Sequence, residues 1–209
     1  YRPVSLPEGV MRFHMTRRTL TPVTANNSAS LFALEGDLRL VEFHSKANAL
    51  TDESMEIVAA AAADHGKGII IHNDAQHFSA GVDLNAFRAY IEAEDWDGID
   101  GFLDRFQKAV CALKYTPVPV VGAPSGLAAG GGYEVLAHCD RLVVHTNSVM
   151  GLVEAGVGVV PGGGGIKDTF FRWHAAKDSW DEAAWQTWMN IGYGATGSSP
   201  QLSARMMYF

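Results

Sequence analysis

Apolar and polar positions alternate along Leu38-Arg39-Leu40-Val41-Glu42-Phe43, the period of a half-buried strand. Nothing before it keeps a period. Thr19–Ser30, rich in Thr, Asn and Ser with one Pro, reads as a linker, so regular structure is expected to begin near Leu31. Thr51 is placed to cap a helix carrying Met55, Val58, Ala59 and Ala62 on one face, and Gly66 is placed to end it. Gly68–His72 is a continuous apolar run, which suits a strand covered on both faces.

A longer helical region is expected over about Leu84–Leu113. Its later half sets Ile99, Phe102, Phe106, Val110 and Leu113 at three- and four-residue steps, and Pro117 stops it. Val118–Val121 is a second apolar strand, with Pro119 marking its start or an irregular edge. Gly130-Gly131-Gly132 opens a helix running to about His138, and Arg141–Val144 is the next strand. Met150–Val160 reads as strand-like, and Pro161–Gly165 as a tight loop into a helix at Lys167–Trp173. Strands alternating with helices predict the α/β class.

Composition narrows the function classes. The 209 residues suit one domain at 31–209 with an arm at 1–30, and 47% hydrophobic with 19% charged residues is ordinary for a globular chain. The formal charge of −7 argues against a nucleic-acid partner, which calls for a basic stripe. Residues 1–30 hold four Arg and one Glu, a net +3, which leaves −10 for the rest. Cys111 and Cys139 form no CxxC, and a reducing cytoplasmic setting is expected. The apolar run Pro117–Ala137 is broken by Pro119, Pro124 and glycines and contains Glu134, so it predicts no membrane span. The chain starts at Tyr1 with no initiator Met, which reads as part of something longer.

Two glycine-bearing turns carry candidate chemistry. Phe78–Asp83 follows a strand and precedes a helix, so it can aim a backbone N–H into a cleft, with Asp83 near the helix N-terminus. An ordinary strand-to-helix turn has the same composition. Gly126–Glu134 runs three glycines into a helix, leaving N–H groups open to a ligand in the manner of an oxyanion hole. Close helix–strand packing also selects glycine. Glu134 reads either as a carboxylate favoured by the helix dipole or as an acid/base group beside that hole. Glu154 sits among apolar neighbours, which raises a carboxyl pKa toward neutrality. It also reads as one solvent-facing side chain on a short strand.

In order and spacing, Phe78–Asp83, Gly126–Asp140 and Val153–Gly165 resemble three signatures of the crotonase (enoyl-CoA hydratase/isomerase) superfamily, and Lys46–Leu50 resembles its early CoA-contacting segment. The resemblance covers about residues 31–209. It implies a crotonase fold, in which repeated ββα units form two roughly perpendicular sheets, and an acyl-CoA thioester as substrate. It implies that the N–H groups of Val82 and Gly131 form the oxyanion hole, that Glu134 and Glu154 are the catalytic pair, and that Ala47, Ala49, Ala80, Asp83 and Leu84 line the CoA and thioester site.

The phrasing of Met150–Gly165 most resembles the hydratase part of bifunctional proteins that also carry a 3-hydroxyacyl-CoA dehydrogenase. Residues 1–30 would then be linker or tail of that upstream domain. The resemblance implies no cofactor in this domain, NAD belonging only to such a dehydrogenase. It also implies homo-oligomers built through a C-terminal helical region, of which Ser198–Met207 reads as a helix cut short.

Other chemistries fit less well. Gly162–Asp168 is not a P-loop, because Lys167 is not followed by Ser or Thr. His72, His77 and His138 form no HExxH and read as core or surface histidines. Ser79 and Ser125 lack the GxSxG elbow. Leu84, Phe87, Tyr90 and Ile91 line either an acyl pocket or a core-facing helix stripe. Enoyl-CoA hydratase is the leading function. The alternatives are a double-bond isomerase, or a catalytically weak acyl-CoA-binding or docking module.

Overall fold

A computed structural model describes residues 7, 8 and 12–209. The elements in chain order are α1 (Phe13–Thr16), β1 (Thr24–Ala25), β2 (Ala29–Leu34), β3 (Leu38–Phe43), α2 (Asp52–Ala63), β4 (Gly68–His72), α3 (Leu84–Glu92) and α4 (Trp96–Lys114). Then come β5 (Val120–Ala123), β6 (Leu127–Ala129), α5 (Gly131–Ala137), β7 (Arg141–Leu142), β8 (Val149–Gly151), α6 (Gly165–Lys177), α7 (Trp180–Gly192), β9 (Thr196–Gly197) and α8 (Pro200–Arg205). One sheet has the order β1-β2-β3-β4-β5-β7 and a second has the order β6-β8-β9. The class is α/β with two sheets, as expected. Among the described residues, no helix is long and apolar enough to cross a membrane.

The large sheet sorts its residues by the two-residue period. Leu31, Val41, Ile69 and Ile71 face the main core, where Val58 of α2 and Phe106 and Val110 of α4 cover them. Phe32, Leu40 and Ile70 face the other way and pack with Phe13 of α1. The Phe13 and Phe32 rings meet edge-on at 5.3 Å. β4 is therefore covered on both faces, the outer one by the N-terminal arm. The arm also changes the expectation for β3. Glu42 is 5% exposed and not on a solvated face, because Arg17 reaches its Oε1 at 2.7 Å.

Regular structure starts earlier than Leu31. The polar stretch that reads as a linker makes a hairpin, because Asn26 Oδ1 accepts from the Ser28 and Ala29 amides at 3.0 and 2.9 Å. Such a local side-chain turn lets β1 pair with β2. α2 has the expected Thr51 cap, reciprocated by Ser54, but its buried stripe is Met55, Ile57, Val58 and Ala61, and Ala59 is exposed.

The helical region expected over about Leu84–Leu113 is two helices, α3 and α4. Glu94 takes φ 54° and Asp95 recaps, its Oδ1 accepting from the Gly98 amide at 2.9 Å. Met150–Val160 is not one strand. β8 ends at Gly151 and a 3₁₀ turn spans Glu154–Val157, closed by Gly158 at φ 81°. α8 is followed by Met207 at φ 56° and by Tyr208, which turns into the core with its ring 4.7 Å from that of Tyr133.

Candidate active site

The two glycine-bearing turns lie together because short bridges hold them. Leu50 pairs with Val82 and Ser79 with Ala128 as isolated parallel bridges. In the first, the Leu50 amide donates to Gly81 O at 2.8 Å and the Asp83 amide donates to Leu50 O at 2.9 Å. The bridge uses the groups flanking Val82, so the Val82 N–H points to the opposite side. Gly131 is the first residue of α5, a position whose N–H has no acceptor within the helix. A Cβ on Gly81 would sit 3.7 Å from the Gly131 nitrogen, and one on Gly131 would sit 2.8 Å from Val82 Cγ2. Two amides that secondary structure leaves free are thus brought side by side.

Glu134 lies in the first turn of α5 and is 2% exposed. Its Oε1 accepts from the amides of Gly163 and Gly165 at 2.8 and 2.9 Å. Burial pushes its pKa up to about 7; the Gly165 and Gly163 amides oppose the shift, and the Glu154 charge adds to it. Glu154 opens the 3₁₀ turn. Its Oε1 would lie 3.0 Å from a Cβ on Gly130, so this carboxylate meets the start of α5 at a residue whose φ of 52° favours glycine. Its Oε2 is sealed from solvent and has no hydrogen-bond partner among the described residues. Burial raises the Glu154 pKa as well. Glu134 and the Glu154 Oε2 are thus shielded from bulk solvent, and burial raises the pKa of both carboxyls.

A buried carboxyl with a raised pKa lowers stability once it ionises. The folded state favours protonated Glu134, so its contribution is present below the unfolded pKa of 4.5 and lost as pH rises through about 7. Glu134→Gln is expected to stabilise the fold at pH 8 by up to about 3 kcal/mol and to change little at pH 4.5. Urea midpoints of both proteins at the two pH values check this.

The other predicted residues fall along one rim. Ala47 and Ala49 flank buried Asn48 in the turn after β3, and the Ala80 amide donates to Ala47 O at 3.2 Å. Ala47 and Ala80 are exposed, as is Leu84 at 55%. The Asp83 carboxylate is engaged as the cap of α3, accepting from the Asn85 amide at 2.9 Å. His72 and His77 bond separate backbone groups, at Ala123 and Leu127. Among the described residues no three His, Cys, Asp or Glu converge on a metal position. Sequence reasoning missed the amide grip of Gly163 and Gly165 on Glu134. Its signal was present, since a glycine run entering a helix occurs there as it does at Gly130–Gly132.

The family model for enoyl-CoA hydratase/isomerase matches residues 38–173, which span both turns and both glutamates. The chain belongs to this family. A probable 3-hydroxyacyl-CoA dehydrogenase of Bacillus subtilis (strain 168) is 31% identical over 99% of this chain and 26% of its own length. A putative fatty acid oxidation complex trifunctional enzyme of Rickettsia felis (strain ATCC VR-1525 / URRWXCal2) is 33% identical over 72% of this chain and 21% of its own length. The chain thus spans about a quarter or less of these relatives. Among solved structures, Pseudomonas aeruginosa DspI shares the fold with a TM-score of 0.74 at 22% identity, over 88% of this chain and 67% of that one. An enoyl-CoA hydratase from Bacillus anthracis does so with 0.73 at 19%, over 88% and 68%.

Proposed function

We propose that this chain hydrates the 2,3 double bond of an enoyl-CoA thioester, a step of fatty-acid β-oxidation. The observation that carries the reading is the second glutamate. Glu154 holds a buried, unpartnered carboxylate oxygen against the start of α5, beside the free Gly131 amide, and Glu134 lies close enough to feel its charge. An oxyanion hole alone serves any thioester chemistry. Two carboxyls with raised pKa beside it suit the delivery of water and a proton to adjacent carbons.

In this mechanism the thioester carbonyl accepts from the Val82 and Gly131 amides, which draws electron density from C3. Glu134 and Glu154 hold one water between them. Its oxygen bonds to C3, one carboxylate takes its proton, and the other carboxyl delivers a proton to C2, giving a 3-hydroxyacyl-CoA. The two groups titrate as a pair, so base and acid belong to the pair and not to fixed residues. Ala47, Ala49, Ala80, Asp83 and Leu84 are proposed to line the CoA approach, where the exposed small side chains leave the rim open.

The product is the substrate of a 3-hydroxyacyl-CoA dehydrogenase. The Bacillus subtilis relative bears that name and aligns with the arm as well as the core. We therefore place this chain beside an NAD-dependent dehydrogenase region in a larger cytoplasmic protein, with no cofactor of its own. Crotonyl-CoA hydration, followed by loss of the conjugated-thioester absorbance, tests the reading. Turnover with a bell-shaped pH profile is expected. Binding of crotonyl-CoA without turnover would favour the docking-module alternative, and migration of a 3-enoyl double bond without hydration would favour the isomerase.

A further inference from the structure

Behind Glu134 lies a buried charged cluster that the hydration mechanism does not use. His138 follows α5 and is 1% exposed. Its Nδ1 lies 2.7 Å from the backbone carbonyl of Glu134, so this nitrogen donates. Its Nε2 lies 3.1 Å from Asp168 Oδ2. Both atoms are sealed from solvent, and neither has a well-formed hydrogen-bond partner among the described residues. The other Asp168 oxygen is paired with Lys114 Nζ.

The cluster ties three helices together. Lys114 is the last residue of α4, His138 follows α5, and Asp168 lies in the first turn of α6. The same imidazole packs on the turn that holds Glu134. A Cβ on Gly164 would lie 2.9 Å from His138 Cε1, and Gly164 has φ 104°. Gly164 stands between Gly163 and Gly165, whose amides grip the Glu134 carboxyl.

We propose that His138 is a positioning residue: held by Asp168 and Lys114, its ring braces Gly164 so that the Gly163 and Gly165 amides keep the Glu134 carboxyl aimed at the reacting atoms. The proposal rests on the hydratase reading of Glu134. The ionisable groups around His138 are Glu134 on its own helix, Lys114 on α4, and Lys167 and Asp168 on α6, with Glu154 beyond Glu134. Burial draws the imidazole pKa down, opposed by its hydrogen bond to the Glu134 carbonyl and by the Asp168 charge.

Three variants test it: His138→Ala, Asp168→Ala and Asp168→Asn. The first two should lower kcat about 10- to 100-fold with KM changed less than about twofold, the signature of a misplaced catalytic group. In ligand-free protein, the Glu134 carboxyl pKa read by side-chain carbon NMR should rise by at least ~0.5 unit in both, because donors that favour the carboxylate are loosened. Asp168→Asn should stay near wild type, since its amide supplies an N–H to Nε2 without a titrating proton. An unchanged Glu134 pKa and kcat in His138→Ala, or in Asp168→Ala if the histidine variant fails to fold, would overturn the brace. So would Asp168→Asn behaving like Asp168→Ala. A wild-type chain that lacks hydration while the Glu134 pKa still moves would sink the hydratase reading and support the brace.

Discussion

Glu154→Gln and Glu134→Gln are each expected to lower the rate of enoyl-CoA hydration by at least ~10²-fold while leaving acyl-CoA affinity nearly unchanged, because general acid–base groups contribute about 10²–10⁴. The two carboxyls reach this through different surroundings. Glu134 is held by two backbone amides and is nearly sealed, so an isosteric amide keeps the grip on Gly163 and Gly165 and removes only the titrating proton. Glu154 has a free buried oxygen, so its loss withdraws a contact to the water itself. If both act on one water, the double variant loses far less than the product of the single losses. Single-turnover rates with crotonyl-CoA, alongside binding of a saturated acyl-CoA, measure both quantities. Near-wild-type turnover in either single variant removes that residue from the mechanism.

Loss of the Gly131 amide is expected to reduce turnover by ~10²–10³, the usual effect of deleting one oxyanion donor. Proline deletes the N–H, and the first position of a helix tolerates it because no intrahelical bond is lost there. The obstacle is space, since any Cβ at 131 meets Val82 Cγ2 at 2.8 Å. The comparison is therefore made in a Val82→Ala background, between Gly131→Pro and Gly131→Ala. The two share a Cβ and differ in the amide proton. A large gap in kcat between them, with matched circular dichroism spectra and melting temperatures, isolates the donor. Equal activity in the two folded variants removes Gly131 from the oxyanion hole.

The sequence alone determined the local chemistry. The strands Leu38–Phe43 and Gly68–His72 stand where the apolar pattern puts them, because each is a run whose neighbours in the chain already specify its period. The cap at Thr51 and the glycine entry to α5 were legible for the same reason: both act within four residues. The two turns and two glutamates could be named from their spacing, and that spacing carried the family resemblance that residues 38–173 bear out. Polar composition misled at Asn26–Ser28, since the Asn26 side chain makes a hairpin turn that its residue type shares with a linker.

Only the tertiary structure decided which groups meet. That the arm covers the outer sheet face and buries Glu42 depends on Arg17, 25 residues away in sequence. That Glu134 is gripped by Gly163 and Gly165 depends on α6 docking beside α5, across 29 and 31 residues. That the buried His138 lies 3.1 Å from Asp168 depends on the same docking. Periodicity and capping are written in bonds between near neighbours, whereas a pKa near 7 on a buried glutamate is set by what the folded chain removes from water and what it places there instead.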